Sequence, residues 1–184
     1  MAQQSLVSDG FVGGARTKPS SPAKRQAPHR SLRWIPDQAR RLAAGNVHRG
    51  RAWSLAEVCD HLALAFESTV RGSIEEAPPR RWQALGRFER VLRWGVKRFM
   101  LATGWFPSGA SAPASVAPSN SVSLEEALSR LEEAAAAFAR KCSSPRSTWG
   151  YHSLLGKMSG RAWRRFHSIH AAHHFSFFKA ERGS

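Results

Sequence analysis

Gly160–Phe178 reads GRAWRRFHSIHAAHHFSFF and holds four of the chain's eight histidines: His167, His170, His173 and His174. The pattern predicts one helix of about five turns. At ~100° per residue from His170, the side chains of Trp163, Phe166, His174 and Phe177 fall within roughly 40°, and those of His167 and His173 within roughly 60°. Arg161, Arg165, Ser168, Ala172 and Ser176 fall on the opposite side. The helix therefore turns histidines and large aromatics inward together. His170 and His174 stand one turn apart on that face, the spacing at which a helix offers two imidazoles to one metal ion. An inward histidine on an apolar face is also what a hydrogen-bonded core residue looks like, so the spacing leaves both readings open. A third ligand has to come from another part of the chain.

Other stretches carry the same helical patterning. Pro36 suits the first turn of a short helix that runs to about Ala44 and stops at Gly45-Asn46. Ser54 and Glu57 form a capping-box pair ahead of a helix reaching Val70, with Gly72 as its stop. Leu55, Val58, Leu62, Ala65, Phe66 and Thr69 make its apolar face, and His61 lies at the edge of that face. Pro78-Pro79 breaks the chain before a third helix over roughly Trp82–Leu101. Its expected inner stripe is Leu85, Phe88, Leu92, Val96 and Phe99, with Arg81, Arg87, Arg90, Arg93, Lys97 and Arg98 on a solvated outer face. A long loop over 103–121 follows, of a length that suggests a packed or functional segment. Ser123 and Glu126 form a second capping box for a helix to about Arg140, faced by Leu124, Leu128, Leu131, Ala135 and Phe138. Ser159 caps the histidine-rich helix. No strand pattern is visible.

Four substantial helices and a short leading one imply an all-α antiparallel bundle. Bundles build metal sites from facing helices, so the helix carrying His61 and the one carrying His170 and His174 can meet at one point. The 184 residues suit one domain plus a tail. Residues 1–28, rich in Ser, Gly, Pro and basic residues, read as a disordered basic tail, and residues 29–180 as the bundle domain. A net charge of +15 favours unspecific contact with nucleic acid through that tail, without a motif of any sequence reader. The two cysteines, Cys59 and Cys142, form no C-x-x-C pair, so no cysteine zinc site is indicated, and the count fits a reducing, cytoplasmic location. No apolar run is long enough to span a membrane, and no apolar segment near the N-terminus suggests a signal peptide.

Three segments together resemble a known superfamily: WSLAEVCDHLALAFESTVRG (53–72), FPSGASAP (106–113) and YHSLLGKMSGRAWRRFHSIHAAHH (151–174). The chain is similar to the DinB/YfiT-like superfamily, and within it to an uncharacterised branch with W-S-x6-H-L-A and a closing H-x-x-H-H. The resemblance covers roughly Arg30–Phe178. It implies a DinB-like four-helix bundle with a three-histidine metal site, and the matching positions are His61, His170 and His174. Characterised relatives in the superfamily include metal-dependent thiol transferases and hydrolase-like enzymes.

Three neutral imidazoles suit a divalent transition metal such as Zn, Ni or Fe in preference to Mg or Ca, and leave a position open for water or substrate. His152, Trp105 and Glu57 are the expected lining, with His152 either a proton shuttle or a loop-packing residue. His167 and His173 are expected to support or pack, and Cys59 to face away from His61. The functional expectation is a metal-dependent transferase or hydrolase acting on a small substrate. A metal-free helical scaffold and a basic nucleic-acid-associated protein are the alternatives. No membrane partner is expected, and a homodimer is admitted.

Overall fold

A computed structural model describes residues 31–45, 47–49, 53–72, 86, 88–106, 112–144, 147–152 and 154–180. Among them are five helices: α1 (Trp34–Ala44), α2 (Leu55–Arg71), α3 (Phe88–Thr103), α4 (Leu124–Ser143) and α5 (Gly160–Phe175). Four strands of two or three residues accompany them: β1 (Val47–Arg49), β2 (Tyr151–His152), β3 (Gly156–Lys157) and β4 (Phe178–Ala180). The fold is an all-α helical bundle. The expected tail over 1–28, Asn46, the Pro78-Pro79 break and the first turns expected for the third helix lie outside the described residues. No described helix is long and apolar enough to cross a membrane.

Local chemistry sets most helix ends. Ser54 Oγ accepts from Glu57 N while Glu57 Oε2 accepts from Ser54 N, at 3.2 and 2.6 Å. Ser123 and Glu126 repeat this at the start of α4. Each box satisfies donors that the first turn leaves without helical partners. Gly72 ends α2 at φ +80, a left-handed conformation that costs a residue without Cβ little. α2 and α4 form the most extensive helix pair. Phe66 meets Phe138 at 5.4 Å, in a core with Leu62, Leu128, Leu131 and Trp163. At the rim of this pair Arg130 of α4 forks onto Glu67 (2.7 and 2.9 Å) and reaches Asp60 (2.7 Å), both on α2.

The strands depart from the sequence reading. α5 ends at Phe175, three residues before Phe178: Ser176 N still makes the helical bond to Ala172 O, and Phe177 N then closes a tighter turn onto His174 O. Phe178–Ala180 then pairs antiparallel with Val47–Arg49. β2 and β3 pair through a tight turn, with Gly156 at φ +72. Strands this short show no two-residue alternation, which is why the sequence hid them.

α3 is also turned relative to expectation. It starts at Phe88, behind a turn at Gly86 with φ +51, and runs to Thr103. Arg93 and Met100 are buried, while Phe88, Leu92 and Phe99 of the expected inner stripe face outward. Arg93 is drawn in by partners outside the stripe. Its Nε donates to Glu89 at 2.6 Å, and its guanidinium lies 5.2 Å from the centre of the Tyr151 ring. α3 is held against the α5 side by Arg165 Nε on Leu101 O (3.0 Å) and by Lys97 Nζ on Lys157 O (3.1 Å).

Candidate metal centre

α2 and α5 bring His61, His170 and His174 together, with one ligand nitrogen from each inside a 4.8 Å span. His170 Nε2 lies 3.1 Å from His61 Nε2 and 3.0 Å from His174 Nε2. His61 and His170 are buried and His174 is half-buried. His61 Nδ1 donates to the Val116 carbonyl at 2.7 Å. A carbonyl can only accept, so the proton sits on Nδ1 and the Nε2 lone pair faces the other two rings. Val116 belongs to the 3-10 turn Ala114–Val116 in the loop ahead of α4. That loop is tied down by Ser119 N, which donates to Asp60 Oδ2 at 2.9 Å. Asp60 precedes His61 in α2, so one carboxylate and one imidazole grip the same loop.

Burial keeps these rings neutral. It pushes the His61 imidazole below its ordinary range, against the raising effect of the Val116 hydrogen bond. His174 is pushed down to about 3 by burial and then by His61 and His173. His170 falls well below the ordinary range, from burial first and the surrounding imidazoles second. Aromatic rings wall the cluster. Trp53 stacks on His174 (5.7 Å, 13°) and lies 4.9 Å from His61, while Phe106 stacks on His170 (5.0 Å, 13°) and touches His173.

His167, His173 and His152 stand apart from this meeting point. His167 is fully buried between Phe66, Phe138 and Trp163. Thr69 Oγ1 donates its hydrogen to Ala65 O and so accepts from His167 Nε2, at 3.1 Å. His173 packs on Phe106 and Phe177. His152 lies against Trp163 and Phe166, and its Nδ1 accepts from the backbone N–H of Leu154 and Leu155. Burial, with Arg93 nearby, pushes it down to about 4. Of the expected lining, Glu57 has a carboxylate oxygen committed to the α2 cap, and Trp105 is exposed against Phe99. Cys59 is buried in the core, its thiol pushed up to about 12 by burial and the Asp60 charge. Sequence reasoning passed over Phe106, Val116 and the Asp60–Ser119 tie. The Asp beside His61 was the one visible signal for the tie.

A protein-family model described as "Protein of unknown function (DUF1569)" matches residues 22–181. The chain belongs to the DUF1569 family. The match contains all three clustered histidines and begins inside the expected tail. No curated protein and no solved structure matches this DUF1569 chain.

Proposed function

We propose that the chain is a DinB-like metal-binding protein in which Nε2 of His61, His170 and His174 hold one divalent transition ion, Zn²⁺, Ni²⁺ or Fe²⁺. In this reading it is a metal-dependent transferase or hydrolase of a small substrate, with a thiol as the leading candidate. The observation that carries it is the convergence of three neutral imidazole nitrogens from two helices, with His61 fixed in the ligating tautomer by Val116. A proton on His170 Nε2 could serve only one of its two neighbours at a time, whereas an ion between the three nitrogens would satisfy all of them. Three protein nitrogens within 4.8 Å of one another would hold an ion and leave a position open for water or substrate.

When bound, such an ion supplies Lewis-acid activation of water or of a thiol near neutral pH. The chain's own residues do the rest. Val116 orients His61, the α5 backbone sets His170 and His174 one turn apart, and Trp53 and Phe106 shield the rings from bulk water. Of the two roles open to His152, this reading takes loop packing rather than the proton shuttle. Its Nδ1 lone pair is engaged by two backbone N–H groups and burial keeps the ring neutral.

The test is elemental analysis of protein purified without a histidine tag, followed by titration with Zn²⁺, Ni²⁺, Fe²⁺ and Mn²⁺. About one ion per chain is expected, with a rise in melting temperature on loading. Protein that arrives metal-free and ignores all four ions overturns the reading and leaves a helical scaffold.

A further inference from the structure

The outward face of α3 is the largest departure from a solvated surface among the described residues. Val91 is 66% exposed, Trp94 57%, Phe99 55% and Leu92 42%, and Trp105, packed against Phe99, is 53% exposed. At ~100° per residue, the side chains from Trp94 round to Leu92 cover an arc of roughly 160° on which Arg98 is the only charge. Scattered exposed apolar residues are ordinary, whereas a contiguous set this wide marks a contact surface.

Charge selects the occupant. Arg98 and Arg90 are exposed on this helix, and its one acidic residue, Glu89, is engaged with Arg93. The chain as a whole carries +15. A second copy on this face would add its own Arg90 and Arg98 to a surface that already lacks a free exposed acid on α3. Single-stranded nucleic acid would find rings and cations, but Val91 and Leu92 offer nothing for a base to stack on. A convex apolar helix face with indole rings and arginines, and no exposed acid, matches the boundary between headgroups and acyl chains of an anionic bilayer. There Arg98 and Arg90 can reach lipid phosphate from their apolar stems while Trp94 and Phe99 sit below it.

We propose that the α3 face docks the protein on anionic phospholipid membranes, with Val91, Trp94 and Phe99 inserted and Arg90 and Arg98 on the headgroups. The expectation of no membrane partner came from the lack of a spanning segment, and a helix lying in the interface needs none.

The experiment is co-sedimentation of the full chain with vesicles of phosphatidylcholine containing about a third phosphatidylserine, and with phosphatidylcholine alone. Binding to the anionic vesicles is expected to be about tenfold or more tighter, and to weaken as salt rises. Because any chain of this charge is drawn to anionic lipid, the decisive variant keeps every charge. Val91→Ser/Trp94→Ser/Phe99→Ser should lose about tenfold or more in binding at physiological salt while melting near the wild-type temperature. Equal binding by variant and wild type would reduce the effect to general charge and overturn the proposal. Should the triple variant fail to fold, wild type and Trp94→Phe are compared on vesicles with brominated acyl chains. Quenching that diminishes in Trp94→Phe supports insertion, and no quenching in the wild type overturns it. A concentration-dependent dimer broken by the same triple variant, without vesicle binding, would assign the face to a second copy. A large fall in the variant's melting temperature, with vesicle binding unchanged, would assign it to the 73–87 segment of this chain.

Discussion

Replacing Asp60 by Asn tests how the His61 side of the cluster is held. Asp60 is 1% exposed and receives Arg130 Nη1 at 2.7 Å and Ser119 N at 2.9 Å. An amide in its place turns a donor toward one of those two donors. A buried donor left without its partner costs about 1–3 kcal/mol. Arg130 is 40% exposed and stays forked on Glu67, so the ionic part of the loss is screened and about 1–2 kcal/mol is expected. For a domain of this size that lowers the melting temperature of chelator-treated protein by about 2–8 °C. A second effect follows from the loop. Ser119 lies three residues after Val116, whose carbonyl fixes His61, so loosening it should weaken metal binding roughly tenfold or more, read by competition with a chromophoric chelator. Glu67→Gln is the control: it touches the same arginine but not the loop, and should lower the melting temperature with metal affinity kept. An Asp60→Asn variant that melts like wild type would refute the buried bond. Lower melting with unchanged metal affinity would refute the coupling through the loop.

Ala at His61, His170 or His174 should strip most of the metal, whereas His173→Ala should keep about one ion per chain by elemental analysis. His167→Ala should also keep it, but melt several degrees lower because it leaves a cavity beneath Phe66, Phe138 and Trp163. Acid should destabilise the chelated protein: His167 stays neutral in the fold down to about 3, while its unfolded form takes a proton near 6.5. The unfolded chain thus binds more protons between those values, and stability falls as pH drops through that window, by about 2 kcal/mol at pH 5 from this residue alone. Melting curves from pH 7.5 to 5 read this, and a flat profile would contradict it. His152, with a folded value of about 4, adds in the same direction. Gly150→Ala should cost about 1–3 kcal/mol in denaturant unfolding, because its Cβ would meet the Gly72 carbonyl oxygen at 2.6 Å and both partners are backbone.

What the sequence made legible was local. Ser54 with Glu57, Ser123 with Glu126, and Ser159 each act within four residues, and all stand in the structure as helix caps. The one-turn spacing of His170 and His174 is likewise a property of one helix. The facing of α3 was not legible, because Arg93 turns inward toward Tyr151, 58 positions away, and no periodicity inside the helix encodes that neighbour. β1 and β4 were invisible for the same reason: each is three residues long and exists only through the other. Around the histidines, Phe106 and Val116 come from a loop, where composition says nothing of which ring or carbonyl will face inward.

The β1–β4 pairing has a consequence for how the protein is made. His61 and His170 are separated by 109 positions, and the strand that closes the chain behind α5 pairs with residues preceding α2. During translation α2 and α4 leave the ribosome first and can pair while α5 is still unmade. The three imidazoles cannot meet until the segment through His174 has been made, and the strand pairing behind it comes later still. On the proposed metal-binding reading, a chain still short of α5 lacks two of the three nitrogens, so any ion would be taken up only after α5 has joined α2.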